Sequence, residues 1–275
     1  MAAALVVLFG VGFFGLVSLV VGWFENVEGV AGPVTDLGYG ALVGIILTAG
    51  LGQQLRAPER KIAGLQQAAL VAPAFLIGSA IAADTQNLAP ALIVAASVGV
   101  MLALHPARAE FLRLRPRAFS PALLAITVLG AIPLIAYGLR MGAQARALSG
   151  PPHHVQRLST MAALAVGIVL VGLLAALKTR GWTIPAWSAG AAAVVFGVAS
   201  AAFPADPGAV GRSWGGLAIV GGATFMVVAE FERRKERNGY GPRRRATASI
   251  STSRSAASAA PTVARAGNGS EKYSR

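Results

Sequence analysis

Five residues suited to anion chemistry fall within one short stretch: Arg140, Arg146, His153, His154 and Arg157. Arginine presents a planar fork of donors that matches a phosphate or carboxylate, and such charge-assisted bonds are among the stronger ones in proteins. A histidine beside them could trade a proton near neutral pH. Positions 140 to 158 contain no Asp or Glu, so nothing local orients a histidine as a base; the acids expected nearest are Asp84 and Asp206. The pattern therefore points to binding an anionic headgroup, phosphate or carboxylate rather than to acid–base catalysis. The plainer alternative is a solvated loop that anchors two spans beside lipid phosphates.

Other chemistry finds little support. The third histidine, His105, is expected at the opposite end of a membrane span, about 30 Å away, and adjacent residues such as His153 and His154 point in different directions on a helix. The chain has no cysteine. No metal or other cofactor is expected. There is no P-loop, zinc-ligand pair or nucleophile elbow, and an enzyme is the less favoured class. The middle of every apolar segment lacks Asp, Glu, Lys, Arg and His, which argues against a proton relay through buried carboxylates. A carrier that works through backbone at broken helices stays open. Pro73 and Pro133 lie inside apolar segments, and such a carrier predicts a water-lined cavity near Pro73, Pro133 and Gly190.

The elements that would position these residues are membrane helices. Of 275 residues, 55% are hydrophobic and 13% charged, about half the charged share of a soluble domain. Apolar runs near 20 residues recur, each long enough to cross hydrocarbon as a helix. Eight spans are expected, at about 1–24, 37–52, 62–83, 88–104, 120–139, 159–177, 183–203 and 213–231. Residues 1–24 read as a retained span: no basic residue precedes the apolar run, and Gly22-Trp23-Phe24-Glu25 is a poor cleavage site. Ser120-Pro121 reads as an N-cap followed by proline at the first helical position. Gly40 with Gly44, and Gly190 with Gly197, would let neighbouring helices approach closely. A faint echo relates the third and fourth segments, split by Asp84, to the seventh and eighth, split by Asp206; it fits a four-plus-four parallel duplication.

The fold class is thus an all-α integral membrane protein, a bundle of about eight transmembrane helices over 1–231 with a basic, mostly disordered tail over 232–275. The function class is a multi-pass membrane protein of undetermined activity; the alternatives are a small-solute permease and an outer-face enzyme or binder for an anionic lipid-linked substrate. Residues 230–275 hold 11 Lys and Arg against 4 acids, which accounts for +7 of the net +13. That segment would attract anionic lipid headgroups beside the bilayer, and no nucleic acid is expected as a partner. The dominance of Arg, Ala, Gly and Val is compatible with a GC-rich bacterial genome and a cell-membrane location.

Positive-inside counting sets the orientation. The connections carrying Arg56, Arg60 and Lys61, then Arg108, Arg113, Arg115 and Arg117, then Lys178 and Arg180 fall on one side with the tail, so both termini are expected in the cytoplasm. The connection from Arg140 to Leu158 is the misfit: it is basic yet falls outside. A cysteine placed at Ala147 should therefore react with an impermeant maleimide added from outside intact cells, with no native cysteine to obscure the signal; labelling only after permeabilisation would reverse the assignment.

Overall fold

Three of the long helices begin at proline, where the missing N–H costs nothing because the first helical N–H groups have no intrahelical partner. These prolines are Pro33, Pro121 and Pro152. Ser120 completes one such start as expected, its Oγ accepting the Leu123 N–H at 3.1 Å. The computed structural model describes residues 1–24, 32–56, 61–106, 108–112, 118–148 and 152–239. Among them there is no strand.

The helices are α1 (Ala2–Val21), α2 (Pro33–Leu55), α3 (Ile62–Ala82), α4 (Leu88–Ala103), the short α5 (Arg108–Leu112), α6 (Pro121–Ala147), α7 (Pro152–Ala176), α8 (Thr183–Ala202) and α9 (Gly211–Gly239). Seven of these are long and apolar enough to cross a membrane; α4, with 16 residues, is shorter. Two expected boundaries move. Helix α6 continues eight residues beyond Leu139, and α7 starts seven residues before Ser159. A helix satisfies its own backbone whether or not its side chains are apolar, so hydropathy marks where the apolar stripe ends rather than where the helix does.

Consecutive helices form four antiparallel hairpins, each pairing an inner helix with an outer one. The inner helices are α2 and α7 (78% of the apolar window buried in each), α3 (61%) and α8 (56%); α1 is 17% buried, and α6 and α9 are 22% each. Helix α4 buries only Ala91, Val94, Val98 and Met101, against α3. The order outer, inner, inner, outer over α1–α4 repeats over α6–α9. The inner contacts repeat as well: α3 packs on α7 as α2 packs on α8.

Hydrogen bonds fix which helix ends lie together. At one end, here the Lys178 end, Gln54 donates to the Lys61 carbonyl at 3.0 Å. His105, closing α4, lies 3.2 Å from Gln54 Oε1. Ala63 N–H donates to the Arg180 carbonyl, and Ser120 N–H to that of Ala176, both at 3.0 Å. At the other end, the Asp206 end, Asn87 donates to Ser159 Oγ at 2.9 Å and Tyr137 Oη to the Gly208 carbonyl at 2.6 Å. Helix α4 thus runs from one end to the other despite its length of about 24 Å. His105 and the pair His153 and His154 lie at opposite ends, as the spacing of the segments requires.

Small residues set the closest approaches. On α8, Gly190 and Gly197 face Gly222 and Gly215 of α9; a Cβ on Gly222 would come within 2.5 Å of the Gly190 carbonyl oxygen, and one on Gly215 within 2.7 Å of that of Gly197. Gly40 abuts Leu19 and Gly44 abuts the backbone at Gly15, so the α1–α2 hairpin uses the same device. Trp182, a residue type that often sits at membrane interfaces, is drawn into the bundle. It is buried to 6% exposure with the Lys178 ammonium 4.8 Å from its ring centroid.

The chain divides into two compact units, Met1–Phe231 and Glu232–Arg275. In the second, residues 232–239 are helical; the expected disorder of 246–275 and the run Arg243-Arg244-Arg245 lie outside the described residues, as do Glu25, Glu28, Arg113, Arg115 and Arg117. Leucine at Gly222 should force α8 and α9 apart and lower stability by about 1–3 kcal/mol. Leucine at Gly216, whose Cβ would meet nothing within 4 Å, should leave the midpoint of thermal unfolding in detergent unchanged.

Candidate functional site

The residues expected on one outer loop sit on two helix ends. Arg140 and Arg146 belong to the last turns of α6, and His153, His154 and Arg157 to the first turns of α7. Five residues in a flexible loop could converge on one anion, whereas fixed on two helices they point where the helices send them. Arg157 Nη1 meets Asp36 Oδ1 of α2 at 2.8 Å. Arg146 donates to the Ile81 carbonyl in the last turn of α3, where a carbonyl has no further helical N–H to accept. Arg140 makes no hydrogen bond or ion pair with any described residue and lines a separate cavity. The rings of His153 and His154 pack edge to face with centroids 4.3 Å apart. No group of three metal-ligating residues occurs among the described residues.

The acid partners come from other connections. Asp206, between α8 and α9, accepts the Gly208 N–H on Oδ1 at 2.8 Å and the Val34 N–H on Oδ2 at 3.2 Å. Val34 lies in the first turn of α2, so Asp206 caps that helix from the far end of the sequence. The approach is close enough that a Cβ on Gly32 would collide with the Asp206 carboxylate. Burial pushes the Asp206 carboxyl above its ordinary pKa; the Gly208 and Val34 N–H groups pull it down, Asp36 raises it and Arg157 lowers it. Within the basic misfit, Arg157 is matched across connections by Asp36, and its charge also reaches Asp206. Counting charge one loop at a time could not reveal that pairing.

A cleft of about 480 Å³ opens beside the Arg157–Asp36 pair, between α1, α2 and the start of α7. It lies where α1 breaks. Leu8–Gly12 is wound as a π-helix, and Phe14 takes a left-handed backbone conformation at φ 57° before α1 resumes at Gly15. Helix α2 carries a second π-helical segment, Ala41–Leu47. Such windings displace the regular hydrogen bonds and recur at functional sites. Here the loosened carbonyls find new donors: Tyr39 Oη donates to Phe13 at 2.8 Å, Gln67 Nε2 to Ile46 at 2.6 Å and Thr48 Oγ1 to Val43 at 2.7 Å. One side of the cleft is apolar, with Phe13, Phe14 and Val17; the other is polar, with Asp36, Tyr39, Gln156, Arg157 and Thr160. Asp36 Oδ2 is buried without a hydrogen-bond partner.

Of the five expected residues, only Arg157 lines this cleft. In the sequence Asp36 is one of three acids, with Glu25 and Glu28, between the first two apolar runs, and Tyr39, Gln156 and Thr160 carry no signal of their own. The alternation Gly10, Gly12, Gly15 around Phe13-Phe14 was the available clue, since glycine inside a helix marks a place where regular winding can fail. A second cavity, of about 540 Å³, is lined by Pro133 and Gly190 among α6–α9 residues. The cavity expected near Pro133 and Gly190 thus exists, but Pro73 is not part of it, and its wall is mostly apolar side chains.

No protein-family model matches the chain, and no curated protein or solved structure is found to be similar to it.

Because its native pKa is raised, the Asp206 carboxyl binds its proton more tightly in the folded chain than in the unfolded one. Its contribution thus favours folding at low pH and declines as pH rises from the ordinary carboxylate value, about 3.9, through the raised native value. Asp206→Asn should flatten this part of the pH dependence of thermal unfolding. A profile unchanged from the parent protein would mean that Asp206 is not the group responsible.

Proposed function

We propose that this chain is an eight-crossing protein of a bacterial cell membrane, with both termini in the cytoplasm, that binds a small zwitterionic solute in the α1–α2–α7 cleft and carries it across. What is established is coarser: among the described residues, seven apolar helices of spanning length are consistent with a multi-pass membrane protein. The eighth crossing is α4. Its polar flanks, Asn87 and His105, are both buried and bonded at opposite ends of the bundle, and a small bilayer adjustment accommodates a short helix at modest cost.

The observation that carries the carrier reading is the broken α1 beside a charged pair. Carriers commonly bind solute at interrupted helices, where backbone groups and a few polar side chains are left to face the ligand. Asp36 has one buried oxygen with no partner, suited to an ammonium group. Arg157 uses Nη1 for Asp36 and keeps other guanidinium donors for a carboxylate. A molecule carrying both charges, of the size of an α-amino acid, would meet Asp36 with its ammonium group and Arg157 with its carboxylate along the polar side of the cleft. The repeated order of inner and outer helices further supports a four-plus-four parallel duplication, an arrangement found among transporters.

The protein in nanodiscs should be stabilised against heat by some member of a panel of α-amino acids, and not by the matching amino amides or N-acetyl acids, which each lack one charge. Arg157→Ala and Asp36→Asn should each weaken that response by roughly 10- to 100-fold in apparent affinity, and should abolish uptake of the same radiolabelled solute into proteoliposomes. An equal response in the Arg157→Ala protein would rule the cleft out as the site.

A further inference from the structure

The larger cavity is distinct from the cleft in lining, chemistry and position. It is a groove between α6 and α9, with α7 and α8 behind it. Its wall runs along α6 from Ile126 to Arg140, a rise of about 21 Å. Leu129 and Leu217 stand on its two rims with exposures of 69% and 60%, so the groove opens onto the apolar outer surface of the bundle. Inside it, Gly130 and Gly221 leave space where a Cβ would meet nothing within 4 Å. Over most of its length the groove offers apolar side chains; the hydroxyls of Thr127 and Tyr137, which also line it, donate to the Leu123 and Gly208 carbonyls.

Its Asp206 end is different. There Arg140 lines the groove, exposed and without a hydrogen bond or ion pair to any described residue, and Trp214 lines it with an exposure of 57%. An apolar slot longer than about 15 Å, half the hydrocarbon thickness, bounded at one end by Arg140 and an aromatic ring suited to the interface, is complementary to an amphiphile with a negative head. A second copy of the chain would bring an equal positive charge towards Arg140. A soluble anion would have no use for the slot.

We infer that the α6–α9 groove is a binding site for one anionic phospholipid of the leaflet at the Asp206 end, an acyl chain lying along α6 and the phosphate held by Arg140. The site is independent of the solute cleft. Tryptophan fluorescence tests it directly with phosphatidylglycerol and phosphatidylcholine brominated on the acyl chains. In a chain keeping only Trp214 (Trp23→Phe, Trp182→Phe, Trp187→Phe), brominated phosphatidylglycerol should bind beside Trp214 with about five-fold preference over brominated phosphatidylcholine, the advantage expected of one basic residue near the membrane surface. Arg140→Gln should bring the preference to about one, and Gly221→Phe, which fills the groove, should reduce quenching by both lipids.

Because Trp182 is buried, the full chain with all its tryptophans gives a second measurement. Equilibrated with equal amounts of the two lipids, it should retain phosphatidylglycerol in similar excess by native mass spectrometry, and the excess should fall with Arg140→Gln. An excess untouched by Arg140→Gln and Gly221→Phe would place the lipid on the basic tail and overturn the proposal. Efficient disulfide-linked dimers from Gly130→Cys in the otherwise cysteine-free chain would overturn it too, since a second copy would then cover the groove.

Discussion

The bundle is closed at one end by a clamp that joins its two halves. Asp206 from the α8–α9 connection accepts the N–H of Val34 at the start of α2, while Arg157 at the start of α7 pairs with Asp36, two residues further along α2. One helix start thereby receives a carboxylate, which suits the unpaired N–H groups and positive dipole end found there. The first and second halves of the chain meet through four residues that are separated by up to 172 positions. Without the clamp, α2 would present uncapped N–H groups and Arg157 would be left half-buried beside no acid.

The clamp also accounts for the placement of the cleft. It fixes α2 and α7 to each other at the Asp206 end, and α1 packs on α2 through glycines that admit close backbone approach. Helix α1 is the least buried of the spanning helices, so its winding can fail at Phe13-Phe14 without opening the core. The hydroxyl of Tyr39 from α2 supplies the donor that the interrupted winding lacks. The break is stable because its neighbour completes its hydrogen bonding, and the space beside it is held open by helices that the Arg157–Asp36 pair fixes to each other.

Division of labour among the helices follows from burial. The inner helices bury most of their apolar surface against one another, and the polar side chains that α2 and α7 offer to the cleft lie in their N-terminal turns. The outer helices α6 and α9 bury only 22% of their apolar windows, and the groove between them is a consequence of α9 docking on α8 through the glycine pairs rather than on α6. The two cavities therefore differ in character: one lies where an ion pair between two inner helices, α2 and α7, faces the broken outer helix α1, the other where two outer helices fail to meet.

The sequence by itself determined the class of fold, because apolar runs of spanning length and scarce charge admit helices and little else. It also located the Ser120 cap, the tight glycine faces of Gly190 and Gly197, and the separation of His105 from His153 and His154, all of which depend on local pattern or on segment order. The gathering of Arg157, Asp36 and Asp206, the separate roles of Arg140 and Arg146, and the break in α1 were decided only by the tertiary structure. Those depend on which helix ends become neighbours and on the rotation of each helix about its axis, and neither is encoded in hydropathy. A charge read along the chain has no partner until the fold supplies one, and here the fold turned a local excess of arginine into an ion pair at Arg157, a helix cap at Arg146 and, at Arg140, a cation facing an apolar groove.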